Sequence, residues 1–241
     1  MRGIYLIAKR DFAAYLNTFW GWSILAMALA VDGALFNVFG MGKTAKLSAE
    51  ILQQFFYLTG GILLIVAIPV TMRLFAEERQ TGTMVILETS PLSDRQLVLG
   101  KYLSGMLFVT AFCVCTFYLP SFIFVNGKVG WPEIGVGYLG LLLMGSAGVS
   151  IGTWASAVSR NQIFSAVLGA VVVSFFVICW MLAQRVDSPF KDIISYLAFF
   201  DQQFQPFQQG RLNTDAVVFF GSITFGFLLM ATQSLCARRW R

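Results

Sequence analysis

The sequence predicts an all-α integral membrane protein: six transmembrane helices preceded by an amphipathic helix at the membrane surface. Three observations carry this expectation. Of the 241 residues, 57% are hydrophobic and only 12% are charged, far from the composition of soluble domains. Mean hydropathy is +0.73, and six apolar stretches each approach or exceed the ~20 residues that cross a bilayer. The charges gather near the ends of those stretches, and nothing is left over for a separate soluble domain. Residues 1–241 therefore read as one transmembrane domain.

The first element is Met1 to Asn17, short, basic and mixed. On a helical wheel Ile4, Tyr5, Ala8, Phe12, Tyr15 and Leu16 share a face, with Lys9 and Arg10 off it. Such a helix lies flat in the membrane interface. A secretory signal cleaved after Ala28-Leu29-Ala30 is the weaker alternative, because its basic region would be too long and amphipathic and further spans follow. The spans run roughly from Trp20 to Phe39, Phe55 to Met72, Leu97 to Val125, Ile134 to Val158, Ile163 to Leu182 and Ala216 to Leu235. An even number of spans puts both termini on one side. That side collects Arg2, Lys9, Arg10, Arg73, Arg79, Arg95, Lys101, Arg160, Arg238, Arg239 and Arg241. These outnumber Lys43, Lys46, Lys128, Arg185, Lys191 and Arg211 on the other, so both termini are expected in the cytoplasm. The net charge of +5 is thus a matter of orientation, and no nucleic-acid patch is expected.

The longest polar interruption on that side, Met72 to Lys101, has the most local design, concentrated in about residues 73–96. Glu77, Glu78 and Arg79 are expected to follow the end of the second span, and Thr81, Gly82 and Thr83 to turn the chain. A short apolar run from Met84 through Ile86 and Leu87 follows, and Pro91 stops it. Ser93 with Gln96 reads as a capping box, stapled by Leu92 and Leu97. The expected result is a short helix, a break and a newly capped helix just outside the membrane.

Other motifs carry less. Asn37 to Thr44 ends in Gly42-Lys43-Thr44 like a phosphate-binding loop. Asn37 replaces the first glycine, no strand precedes it, and it falls on the outer side, so no nucleotide site is expected there. Asp32 is the acidic side chain well inside a span. It is either functional or satisfied by water or a neighbouring hydroxyl. Gly145, Gly148 and Gly152 in the fourth span, and Ser165 and Gly169 in the fifth, form small-xxx-small patterns. Those patterns pack helices within one subunit or form a subunit interface. The outer segment of about 183–215 carries Phe199, Phe200, Phe204 and Phe207 among polar residues. It is expected to dip into the outer interface, as an anchor, a gate or a docking place. The four cysteines form no disulfide framework, since Cys113 and Cys115 lie on nearly opposite faces of one helix. With no histidine, the commonest general base and metal ligand is missing, and no metal or catalytic residue is assigned.

Taken together, the amphipathic first helix, six spans, first cytoplasmic loop and dipping outer segment resemble the ABC-2 type permeases, the membrane subunits of ATP-driven (type V) exporters. The most specific resemblance lies in Glu77-Glu78-Arg79-Gln80-Thr81-Gly82-Thr83, Leu87, Ser90-Pro91-Leu92-Ser93 and Leu99-Gly100-Lys101. Within the family, the outer FDQQFQPFQQGRLNTDAVVFF and the closing ARRW resemble the gliding-motility GldF and the nitrous-oxide-reductase maturation NosY types. The resemblance implies a bacterial inner-membrane subunit that pairs with a second permease, a copy or paralogue, and with two separate cytoplasmic ATPase chains. An outer-side accessory protein and membrane lipid complete the implied partners. ATP and Mg would bind the ATPases, with no cofactor on this chain. Met84 to Ser90 would be the coupling helix, with Met84, Ile86 and Leu87 as its contact face and Glu77, Glu78 and Arg79 setting register. An ion-coupled secondary transporter using Asp32 is the alternative. An intramembrane hydrolase fits least, for want of histidine and paired acids.

Overall fold

A computed structural model describes residues 2–40, 47–84, 93–126, 129–185 and 190–239. Ile86, Leu87, Pro91 and Leu92 of the coupling region lie outside the described residues, as do Gly42, Lys43 and Thr44. The described chain is helical throughout, with no strand, and six of its helical stretches are long and apolar enough to cross a membrane. Helix α1 is Arg2–Asn17. The first span is α2, Phe19–Leu35, closed by a π turn, Phe36–Gly40. A helix and not a strand therefore leads into the motif around Asn37. The second span is α3, Ser48–Thr71, continued by α4, Arg73–Gln80. The third is α5, Asp94–Thr116, with α6, Tyr118–Asn126. The fourth is α7, Trp131–Val158; the fifth is α8, Gln162–Ala183. After α9, Phe190–Tyr196, a π turn, Phe199–Phe204, and α10, Gln205–Gln208, the sixth span is α11, Thr214–Arg239.

The fourth span is the axis of the bundle, packing against the second, third, fifth and sixth. Its small residues make this possible. A Cβ on Gly145 would lie 2.8 Å from Val109 and 2.9 Å from Leu63, one on Gly148 2.9 Å from Leu64, and one on Gly152 would overlap Thr71. These glycines therefore seat the second and third spans within the chain. Gly169 is looser, since a Cβ there would lie 3.7 Å from Ala155, and Ser165 is buried beside it. The other side of the fifth span leaves Ile163, Val167, Val171 and Phe175 exposed.

Two expectations are corrected here. Helix α1 buries Ile7, Ala8 and Tyr15 against the chain and leaves Tyr5 and Leu16 exposed. Its inner face is chosen by the third span, where Gly100 lets Ile7 approach. The outer phenylalanines do not rest on the interface. Phe199, Phe204 and Phe207 are completely buried and Phe200 is half-buried. Phe199 stacks on Phe176 at 4.8 Å between centroids, and Phe204 and Phe207 fill the space that Gly60 and Gly140 leave open. Folding back into the bundle removes these rings from water and leaves Gln202 and Gln205 exposed, while the buried Gln203 donates to the Tyr196 carbonyl at 3.0 Å.

Candidate coupling site

The second span does not end where its hydrophobicity falls off. After one turn residue at Met72, α4 carries the helix on to Gln80, so Glu77, Glu78 and Arg79 sit on a helical stalk and not in a turn. Nothing in Arg73–Gln80 opposes a helix, and Arg73 and Glu77 pair across one turn at 3.0 Å. The stalk stops at Gly82, whose φ of +75° suits glycine and few other residues. Hydroxyls finish the end: Thr81 Oγ1 donates to the Glu77 carbonyl at 2.9 Å, and Thr83 Oγ1 to that of Glu78 at 3.3 Å. Met84, the last described residue of this stretch, is buried. Beyond the gap, Ser93 caps the third span in the expected box with Gln96.

Three sets of bonds hold the stalk to the body. Ser156 Oγ, near the end of the fourth span, accepts from the backbone N–H groups of Phe75 at 3.0 Å and Ala76 at 3.1 Å. These are donors that the break at Met72 would otherwise leave unpaired. Ser156 also donates to the Met72 carbonyl at 3.2 Å. Arg79 donates to the Ser159 carbonyl at 2.7 Å. The third set is ionic. Lys101 of the third span is 1% exposed. Its Nζ meets Glu78 at 2.8 Å and Asp11 of α1 at 3.3 Å, donates to the Leu74 carbonyl and lies 5.1 Å from the Phe75 ring centroid. Arg10 closes the group from the outside, 2.9 Å from Asp11 and 3.1 Å from Glu78. Two cations and two anions balance, as a nearly dry cluster requires. Burial pulls the Arg10 guanidinium down, but Asp11 and Glu78 outweigh it and hold the group above its ordinary value. Tyr15 adds a bond to the Val70 carbonyl at 2.6 Å. Burial, with Asp11 nearby, pushes its phenol up, so it remains a donor.

Asp11, Lys101, Ser156 and Ser159 are the residues that sequence reasoning misses. In the sequence Lys101 reads only as an orientation charge and as part of a family-like motif. The usable signal is its place two turns inside a capped apolar helix, where an unpaired ammonium is costly. The other sequence-predicted groups lie elsewhere. Asp32 is buried in the first span and accepts from Thr59 of the second at 3.0 Å, so a neighbouring hydroxyl does meet it. Gly145, Gly148 and Gly152 are in the helix crossings, and the phenylalanines are at the far end. Cys113 is buried and Cys115 exposed, as their opposite faces require. Among the described residues no cluster could hold a metal.

At the same end, Cys236 of the sixth span donates to Asp94 at the start of the third. Helix α1, the stalk and the closing turns of the fourth and sixth spans therefore all gather at one end of the bundle. Six antiparallel helices with a surface helix and a stitched stalk define a multi-pass membrane protein. A family model described as ABC-2 family transporter protein matches residues 22–231. The chain belongs to that family, whose members are membrane subunits of ABC transporters. The comparison with curated proteins gave no match.

Proposed function

We propose that this chain is the membrane subunit through which two separate cytoplasmic ATPase chains drive movement across a bacterial inner membrane. The end that carries α1 and the stalk faces the cytoplasm, with both termini there, and a second permease completes the unit. The observation that carries the reading is the stalk itself. It is one helix rising from the second span, bound to the fourth through Ser156 and Ser159, to the third through Lys101, and to α1 through Arg10, while Asp11 of α1 meets the same Lys101. A push on its tip at Thr81 to Met84 is therefore delivered to four elements together. Of the apolar residues expected to meet an ATPase groove, Met84 is buried against this chain, so that contact falls to Ile86 and Leu87. Pro91, Leu92 and Ser93 return the chain to the third span. Glu77 stays half exposed on the outer flank, available for register, whereas Glu78 and Arg79 serve the internal anchorage.

The resemblance to the GldF and NosY types supports a task in which ATP-driven movement is passed to an outer-side partner, gliding motility among them. The buried phenylalanines of 199–207 tie the outer segment to the second, fourth and sixth spans, which would carry such movement outward. The test is co-purification in mild detergent. Leu87→Asp is expected to yield folded permease stripped of its ATPase. Full ATPase stoichiometry with that variant would refute the assignment of the coupling helix.

A further inference from the structure

The elbow has a second feature, whose reachable charges share only Glu77 with the coupling reading. Between α1, the start of the first span and the stalk lies an open cavity of about 300 Å³. Its walls include Tyr15, Thr18, Gly21, Arg73 and Glu77. A side chain at Gly21 would overlap the Tyr15 carbonyl, so glycine there lets the first span come close to α1 at the cavity wall. Its depth is set by two markers. Arg73 directly follows the apolar second span, and its guanidinium lies 5.6 Å from the ring centroid of Trp20 at the start of the first. Tryptophan at a span end marks the level of lipid headgroups.

The charges divide into two sets. Lys101, Asp11 and Glu78, at the back, satisfy one another. Arg73 and Glu77, paired at 3.0 Å with 22% and 40% of their side chains exposed, remain reachable at the lip. A guanidinium carries five N–H donors, more than one carboxylate can take up, and Glu77 likewise keeps acceptor capacity. The lip thus presents one cation and one anion side by side, paired at 3.0 Å, each with hydrogen-bonding capacity left over. Beside it Phe19, Trp20 and Trp22 are exposed as an apolar shelf.

We propose that this cavity holds the headgroup of a phosphoethanolamine lipid, its phosphate on Arg73, its ammonium on Glu77 and its acyl chains along the Phe19–Trp22 shelf. An anionic headgroup brings the same phosphate to Arg73 but has no ammonium for Glu77, one of three carboxylates that line the cavity with Arg73 and Lys101. A choline headgroup has no N–H to donate to Glu77, and Arg73 already occupies the Trp20 face on which a quaternary ammonium would sit. The proposal needs only that the spans lie in a membrane and is independent of the ATPase assignment.

The experiment exposes the purified full-length protein to an equimolar mixture of phosphatidylethanolamine, phosphatidylcholine and phosphatidylglycerol with identical acyl chains. Retained lipid is then counted by native mass spectrometry. Phosphatidylethanolamine is expected to be retained about tenfold over either competitor, the value of one charged hydrogen bond. Glu77→Gln should bring the ratio close to one, Arg73→Gln should lower retention of all three lipids, and Glu133→Gln, at the opposite end of the bundle, should change neither. Equal retention of the three lipids by the unaltered protein, or a preference for phosphatidylglycerol, overturns the proposal whatever the variants do. An unchanged ratio in Glu77→Gln, or unchanged retention of all three lipids in Arg73→Gln, overturns it as well.

Discussion

Lys101 shows how one side chain can decide the geometry of a whole end. An ammonium taken out of water is tolerated only when carboxylates and carbonyls surround it, and here these come from α1 and the stalk. Its position therefore brings together two elements that are far apart in sequence. Lys101→Met leaves Asp11 and Glu78 with Arg10 alone. We expect a loss of about 3 kcal/mol, the low end for a broken buried pair, measured by chemical denaturation of the solubilised protein. Because the Lys101 side chain is 2% exposed and those of its two carboxylate partners 14% and 17%, added salt should change that loss less than it changes a surface pair. Arg10→Gln should behave differently. Arg10 is 57% exposed, so its contribution is screened and the difference from the unaltered protein should fade as salt is raised. Asp32 is a different case, a buried carboxylate served by one hydroxyl, with no second acid beside it among the described residues of the spans. Its other oxygen, Oδ2, is buried without a hydrogen-bond partner among the described residues.

At the scale of elements, helix crossings are set by which side chains are missing. Gly152 lies where Thr71 of the second span crosses the fourth, and Thr71 is itself held by a bond to the Ala67 carbonyl at 2.6 Å. Gly152→Ala is expected to force the two spans apart and cost about 1–3 kcal/mol, the usual toll of overpacking. Gly169→Ala meets only ordinary contact and should be neutral, or stabilising by up to about 1 kcal/mol from helix propensity. Thermal melts of the two variants side by side check the contrast. In the sequence both glycines look alike, as members of small-xxx-small patterns. Spacing shows that a helix can be approached closely, but which neighbour comes close is settled only when the helices pack.

For the molecule as a whole, the topology makes a single prediction about sidedness. A cysteine introduced at Arg95, in a background freed of reactive native cysteines, should react with a membrane-impermeant maleimide only from the cytoplasmic side. Labelling from outside the cell alone would reverse the orientation and with it the coupling proposal. The six spans and the capped start of the third are legible in the sequence, because hydrophobic length and the Ser93–Gln96 pair are local signals. The stalk is not. Hydropathy drops at Met72 and suggests an end, whereas the helix continues to Gln80 because Ser156, Ser159 and Lys101 wait on other spans to receive it.

The sequence by itself therefore determined the class of protein and the number and approximate ends of its spans, since a bilayer imposes its demands on each segment independently. Tertiary structure alone decided what the charges are for. Glu78 and Arg79 turn inward to anchor the stalk, Glu77 and Arg73 remain at the lip of a cavity, and three phenylalanines of the outer segment leave the surface for the core. The reason is physical: a charge or a ring is stabilised by whatever surrounds it, and those surroundings are assembled from residues distant in the chain.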